Sequence, residues 1–179
     1  MAVPDYQSLM LPLLKFTAAK GTETSTIEAA EVIATKLGLT KEDLKEMLPS
    51  GTQSTFINRV GWAATYMKKA GLLESTRRGF YRITDRGINL LQKQPNNINV
   101  KMLMEYPEFQ EFVKLKGTRS KNKASEQKES LELSSLTPSE ALEDAFDSLR
   151  NELAEELLSR LKKISPAFFE RIVVEILVK

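Results

Sequence analysis

Residues 49–87 read PSGTQSTFINRVGWAATYMKKAGLLESTRRGFYRITDRG, and the order of patterns in this stretch decides the fold. Apolar residues recur at helical spacing from about Ser54 to Ala70, and a glycine ends that run. Two short β-like runs follow, Leu72 to Ser75 and Phe80 to Thr84. The residues between them, Thr-Arg-Arg-Gly, place basic side chains at the tip of a predicted hairpin.

The predicted helix has two unlike faces. At about 100° per residue, one face is apolar and is predicted to be core. The opposite face is polar and carries the only tryptophan of the chain, which is typical of a surface that binds a partner. The predicted core residues are Phe56, Val60, Ala63, Met67 and Ala70. The polar face holds Thr55, Asn58, Trp62, Thr65 and Lys69, with Arg59 and Tyr66 at its edge.

Three helices are predicted upstream, and two more within the first domain downstream. The upstream helices span Asp5 to Lys20, Thr26 to Leu37, and Lys41 to Leu48, the last with Thr40 as N-cap and Asp43 in a capping box. Helix, turn, longer helix and basic hairpin is the order of a winged helix-turn-helix. We therefore predict a mainly α (α+β) chain whose first domain, residues 1–117, is a winged helix. The downstream helices are predicted over Asp85 to Gln92 and Tyr106 to Lys116.

In a winged helix the longer helix enters the major groove and the hairpin lies along the DNA backbone. The amides of Gln53 and Asn58 can read base edges, and basic side chains contact phosphates. The alternative is that the basic residues form an ordinary solvated face and that Trp62 packs under a neighbouring helix. The predicted DNA-binding residues are Gln53, Ser54, Thr55, Asn58, Arg59, Trp62, Lys69, Arg77, Arg78 and Arg82.

Charge is unevenly distributed along the chain. From Gly51 to Lys93 eight basic residues face two acidic ones, a local charge of +6, whereas Leu131 to Lys163 has a local charge of −4. Such asymmetry is expected when one part meets a polyanion. With no cysteine and no histidine, thiolate nucleophiles, Ser-His-Asp triads and ordinary zinc sites are excluded. No targeting or membrane-spanning stretch is present, which predicts a cytoplasmic location.

The stretch from Gly117 to Ser130, GTRSKNKASEQKES, is almost devoid of apolar residues. We therefore predict a linker over 118–135 and a second domain over 136–179. Thr137 is the predicted N-cap of its first helix, with Pro138 at N1 and Glu140 three residues on. That helix carries a leucine-rich stripe, and Ser165 and Pro166 begin a last helix.

Residues 49–87 resemble the N-terminal domain of Mrr-type restriction endonucleases, including Arg-Val-Gly-Trp at 59–62 and Ile-Thr-Asp-Arg-Gly at 83–87. ISPAFFERIVVEILVK, Ile164 to Lys179, is similar to the opening helix of the nuclease domain in that family. The resemblance implies a type IV enzyme that cleaves methylated foreign double-stranded DNA with a PD-(D/E)xK-type nuclease and Mg²⁺. Glu170 matches the acidic residue of the first nuclease helix.

The later Asp and the (Glu/Gln)-x-Lys of that nuclease fold are absent, so this polypeptide alone is expected to hold neither a complete active site nor a bound cofactor. Glu170 itself has an alternative reading as a helix-surface carboxylate. Two other functions stay open. One is a transcriptional regulator that dimerises through residues 138–164, and the other is a protein-interaction module that uses the winged fold without nucleic acid.

Overall fold

The structure, a computed structural model, describes residues 3–117 and 135–178. The chain divides into two units, residues 1–140 and 141–179. The predicted linker over 118–135 lies outside the described residues except at residue 135. Residues 136–140, which we predicted to open the second domain, pack with the first unit.

The first unit is mostly helical with one small antiparallel sheet, so the predicted α+β class is confirmed. Its elements run in the order α1, β1, α2, α3, α4, β2, β3, α5, α6, α7. Their bounds are α1 Met10–Lys20, β1 Thr24–Ser25, α2 Thr26–Leu37, α3 Lys41–Lys45, α4 Thr55–Lys69, β2 Leu73–Arg77, β3 Phe80–Ile83, α5 Asp85–Gln92, α6 Val100–Leu103 and α7 Pro107–Gly117.

The sheet has the strand order β1-β3-β2, with both pairs antiparallel. Tyr81 in β3 pairs with Thr24 on one side and Ser75 on the other, and its side chain is buried. The predicted hairpin is confirmed, and Gly79 turns it with φ 79°, a conformation that other residues rarely adopt. The two-residue strand β1 was not predicted, because so short a run carries no alternation to detect.

The long helix α4 is the centre of the core. It packs against α1 and α2, and all five residues of its predicted core face are buried, which confirms that prediction. The rest of the core comes mainly from α1, α2 and the segment after the hairpin. Burial of one such large apolar side chain contributes about 1.5–3 kcal/mol. The core therefore fixes α4 relative to the hairpin that follows it.

The N-caps follow the residues that predicted them. Thr40 accepts from the Asp43 backbone while the Asp43 carboxylate accepts from the Thr40 N–H, which confirms the capping box at α3. The predicted end of α3 at Leu48 is wrong, because α3 stops at Lys45. Met47 pairs instead with Ser54 in an isolated β-bridge, and the Leu48 N–H donates to the Gln53 carbonyl at 2.9 Å.

Helix α8 spans Pro138–Leu161, and helix α9 spans Pro166–Leu177 in the second unit. The Ser165 hydroxyl caps α9 by accepting from the Phe168 N–H. The leucine-rich stripe of α8 and the apolar residues of α9 are largely exposed. Within residues 3–117 and 135–178, no helix is both long enough and apolar enough to cross a membrane.

Candidate nucleic-acid interface

One side of α4 lines an open groove of about 790 Å³ in the first unit. Ile57, Gly61 and Thr65 form its floor at four-residue spacing, and each is partly exposed. The start of α2 and the loop before α4, including Gln53, form the walls. The groove thus lies between α4, the start of α2 and the loop before α4.

Gly61 is an unusual residue for the middle of a helix. A glycine there costs about 0.5–1 kcal/mol of stability relative to alanine. An added Cβ would meet nothing closer than the Thr26 Cγ2 atom, at 4.0 Å. Packing therefore does not require glycine at this position, and the helix backbone there carries no side chain toward the groove.

The neighbouring side of α4 is covered by residues 137–140, which we call the docked turn. The Trp62 indole N–H donates to the Ser139 hydroxyl at 3.0 Å. The Thr137 hydroxyl donates to the Asn58 side-chain oxygen at 2.9 Å. These contacts join residues nearly 80 positions apart in the sequence.

An ion pair holds the docked turn in place. Arg59 donates from Nε to Glu140 Oε1 at 2.9 Å, and its Nη2 lies 2.7 Å from the same oxygen. The two side chains are only 15% and 8% exposed. Arg59 also donates from Nη1 to the Val3 carbonyl at 2.6 Å. The guanidinium is therefore enclosed by its own chain.

Glu140 has two roles in the docked turn. Its other carboxylate oxygen accepts from the Thr137 N–H at 2.7 Å, and its own N–H donates to the Thr137 hydroxyl, so the predicted capping box of α8 is confirmed. Burial raises the pKa of Glu140, but the hydrogen bonds from Arg59 and Thr137 outweigh that effect and leave the pKa below its usual value. The carboxylate is thus held in its charged form.

These contacts correct one expectation about α4. We expected Thr55, Asn58, Arg59 and Trp62 to lie on an open face, but Thr55 and Asn58 are buried and the other two are partly covered. Asn58 also donates to the Gln53 side-chain oxygen at 3.1 Å. The sequence gives no sign of this cover, since the covering residues lie beyond the predicted linker.

Trp62 belongs to an aromatic cluster. Its ring meets Tyr66 edge to face at 5.8 Å between centroids, and Tyr66 in turn meets Phe109 of α7 at 5.6 Å. Tyr66 is buried, so the expectation that it edges an open face is wrong. The alternative in which Trp62 packs under a neighbouring helix agrees with its contact with Ser139 of α8 better than an open surface does.

The hairpin carries three exposed arginines, Arg77, Arg78 and Arg82. Arg77 is 61% exposed and pairs with Glu23 at 2.6 Å, while its guanidinium stacks on Phe80 at 3.6 Å. Arg82 is 60% exposed and pairs with Glu74. Arg78 is exposed at the turn and makes no ion pair within the described residues. Exposed pairs contribute about 1 kcal/mol or less, so phosphates can replace the glutamates.

The remaining predicted residues lie at the two ends of α4. Gln53 is exposed beside the groove, and the half-buried Ser54 donates from its hydroxyl to the Leu44 carbonyl at 2.9 Å. Lys69 is exposed, with its ammonium 5.2 Å from the Phe112 ring centre. Lys68, which was not among the predicted DNA-binding residues, also lines the groove. Its pKa is lowered mainly by burial and to a smaller extent by repulsion from Lys69.

Glu170 is exposed on α9. Among the described residues no three acidic side chains lie close enough together to hold a metal ion.

Comparison with known protein families identifies the class of domain that contains α4, the groove and the hairpin. The model of the Mrr N-terminal domain matches residues 6–93. This match confirms the resemblance to Mrr-type restriction endonucleases.

A particular relative extends the similarity beyond this domain. The chain is 29% identical over 180 residues to the protein of Escherichia coli (strain K12) described as type IV methyl-directed restriction enzyme EcoKMrr. The alignment covers 99% of this chain and 59% of that relative, so the chain spans about three fifths of its length. No solved structure matches the chain.

Proposed function

We propose that the first unit is a winged helix-turn-helix that binds double-stranded DNA for a restriction endonuclease. The element order supports the winged fold. A short strand β1 lies between α1 and α2, the hairpin directly follows α4, and β1 joins the sheet beside β3. In such folds the helix before the hairpin enters the major groove.

The observation that carries the proposal is the trio of exposed arginines on the hairpin that follows α4. Arg77, Arg78 and Arg82 extend from a rigid two-stranded support, and their only ionic competitors within the described residues are two exposed glutamates. Guanidinium groups bind phosphate through paired hydrogen bonds. The hairpin is therefore suited to the DNA backbone, while Gln53, Thr65 and Lys68 along the groove are suited to the adjacent bases and phosphates.

A role in restriction is favoured over a transcriptional regulator by the extent of the similarity. The alignment with the Escherichia coli enzyme covers the Mrr N-terminal domain and also α8 and α9. A regulator that shared only the winged fold would have no reason to match over those two helices. The exposed apolar residues of α8 are compatible with either role, so they do not decide between them.

Three finer parts of the proposal concern the whole protein. We propose that the DNA is methylated foreign DNA, that its cleavage requires Mg²⁺, and that Glu170 supplies the acidic residue of the first nuclease helix. The name of the Escherichia coli relative, a methyl-directed restriction enzyme, supports the first of these. The position of Glu170 on α9 is compatible with the third.

Fluorescence anisotropy of a labelled duplex tests DNA binding directly. The chain is titrated into a short duplex at low salt, in unmethylated form and in matched forms that carry methylated adenine or cytosine. We expect saturable binding of duplex DNA, and tighter binding of one methylated form if this unit senses the modification. An anisotropy that does not change up to the highest protein concentration contradicts the proposal.

A further inference from the structure

We propose that the docked turn is an autoinhibitory contact, which must leave α4 before α4 can enter DNA. This inference rests on the proposed DNA-binding function. The docked turn contacts three residues of one α4 face through Thr137, Ser139 and Glu140. The contacted residues, Asn58, Arg59 and Trp62, were all predicted from the sequence to bind DNA. DNA and the docked turn therefore compete for the same side chains.

The position of the docked turn on α4 supports the competition. At about 100° per residue, Asn58, Thr65 and Lys69 point most nearly away from the core face. In the N-terminal half of the helix that direction belongs to Asn58, which the Thr137 hydroxyl covers. In winged helices the N-terminal half of the recognition helix is the part that meets base edges.

The dimensions of DNA make the two states exclusive. The major groove is about 12 Å wide, and one α-helix with its side chains is about 10–12 Å across. A groove that holds α4 has no room for the first turn of a second helix at hydrogen-bond distance from it. The docked turn closes only part of the α4 surface, since Gly61 and Thr65 remain partly exposed in the open groove.

The charge of Glu140 also opposes DNA binding while the turn is docked. Glu140 places a buried carboxylate on this face and neutralises Arg59, whose guanidinium is turned inward to the Val3 carbonyl. Release of the docked turn removes a negative charge from the proposed DNA surface and frees a guanidinium for phosphate. The hydrogen bonds that hold Glu140 can thus be exchanged for contacts of the same kind with DNA.

The chain carries its own reporter of docking. Trp62 is the only tryptophan, and its indole N–H binds Ser139 within the contact. Its emission therefore changes when the turn is released. Binding equilibria are reciprocal. If DNA binds only after the docked turn has left α4, then adding DNA must also increase the fraction of molecules in which the turn is released, and Trp62 emission reports that change.

The test compares two single-residue variants of the 179-residue chain with the same charge change. E140Q removes the carboxylate that binds Arg59, while E152Q removes an exposed carboxylate further along α8. The expected result is a Trp62 emission change in E140Q alone, with duplex DNA bound about fivefold to 100-fold more tightly than by E152Q, the usual size of such coupling. Equal DNA affinity of the two variants, with Trp62 released in E140Q, overturns the inference.

A second experiment applies if the turn remains docked on α4 in E140Q: the turn is cross-linked to α4. The chain has no cysteine, so cysteines placed at Asn58 and Thr137, whose side chains already touch, can be joined selectively by a short thiol cross-linker. The cross-linked protein is expected to lose DNA affinity relative to the same variant before cross-linking. Unchanged affinity after complete cross-linking overturns the inference, whereas absence of DNA binding by the unmodified chain and every variant contradicts the DNA-binding function itself.

Discussion

Arg59 and Glu140, 81 positions apart in the sequence, form an ion pair at 2.7 Å that is almost excluded from solvent. Arg59 lies in the N-terminal half of α4, the helix proposed to enter DNA, and Glu140 lies in the first turn of α8. One contact thus links the proposed DNA-binding face to the helix that leads into the second unit.

The Arg59–Glu140 pair is expected to be strongly coupled. A double-mutant cycle of R59A, E140A and R59A/E140A should give a coupling free energy of about 1.5–3 kcal/mol, because both partners are charged, hydrogen-bonded and shielded. The measurement is urea unfolding of the first unit, followed by Trp62 fluorescence. The pair Arg86–Glu108, at 2.9 Å but about half exposed, is the matched comparison. Its coupling should be below about 1 kcal/mol. Similar coupling in the two cycles would contradict the importance assigned to burial.

Docking of residues 137–140 is expected to weaken in acid. The pKa of Glu140 is lower in the docked state than its usual value of 4.5, so docking gains stability above that value and loses it as the pH falls through the lowered pKa. Trp62 emission should therefore change below about pH 4.5 and stay constant near neutral pH. Glu23, Glu28 and Glu108 also have lowered pKa values and titrate in the same range. E140Q retains those three glutamates. The change of Trp62 emission with pH that is present in the unmodified chain but absent in E140Q is therefore the change caused by loss of docking.

The hairpin arginines are expected to set DNA affinity without setting sequence preference. R77A/R78A removes two exposed cations, and we expect affinity for unrelated duplexes to fall by a similar factor of about tenfold or more at low salt. The matched control is K36A/K41A, which removes two exposed lysines near the C-terminal end of α2. If the control weakens binding as much as R77A/R78A, the effect is one of net charge and not of the hairpin.

Gly61 is expected to lower the stability of the fold while leaving the α4 backbone accessible to DNA. G61A should raise the free energy of unfolding by about 0.5–1 kcal/mol, because the helix gains an alanine and the new Cβ has room. The same change should reduce affinity for duplex DNA if DNA approaches the α4 backbone along the groove. G87A is the opposite case, since its Cβ would collide with the Leu72 carbonyl and should destabilise the fold by about 1–3 kcal/mol. A G61A variant that is more stable and binds DNA normally would remove the groove from the proposed surface.

Local patterns predicted most of the first unit. Apolar spacing gave the core face of α4, capping residues gave the starts of α3 and α8, and the Arg-Arg-Gly tip gave the hairpin. What the sequence could not reveal were contacts between distant segments. Nothing near Asn58 indicates that Thr137 covers it, and nothing near Thr24 indicates that it pairs with Tyr81. The predicted hairpin arginines are therefore exposed, as expected, whereas Thr55 and Asn58 of α4 are buried.

The salt dependence of duplex binding is the sharpest test of whether the hairpin arginines bind DNA phosphates. Each phosphate neutralised by a basic side chain contributes about −0.9 to the slope of log affinity against log salt concentration. For the unmodified chain we predict a linear, negative slope steeper than about −2, reduced by about 2 in R77A/R78A. An affinity that does not change with salt, or a slope that is the same in R77A/R78A, would contradict DNA binding through the hairpin.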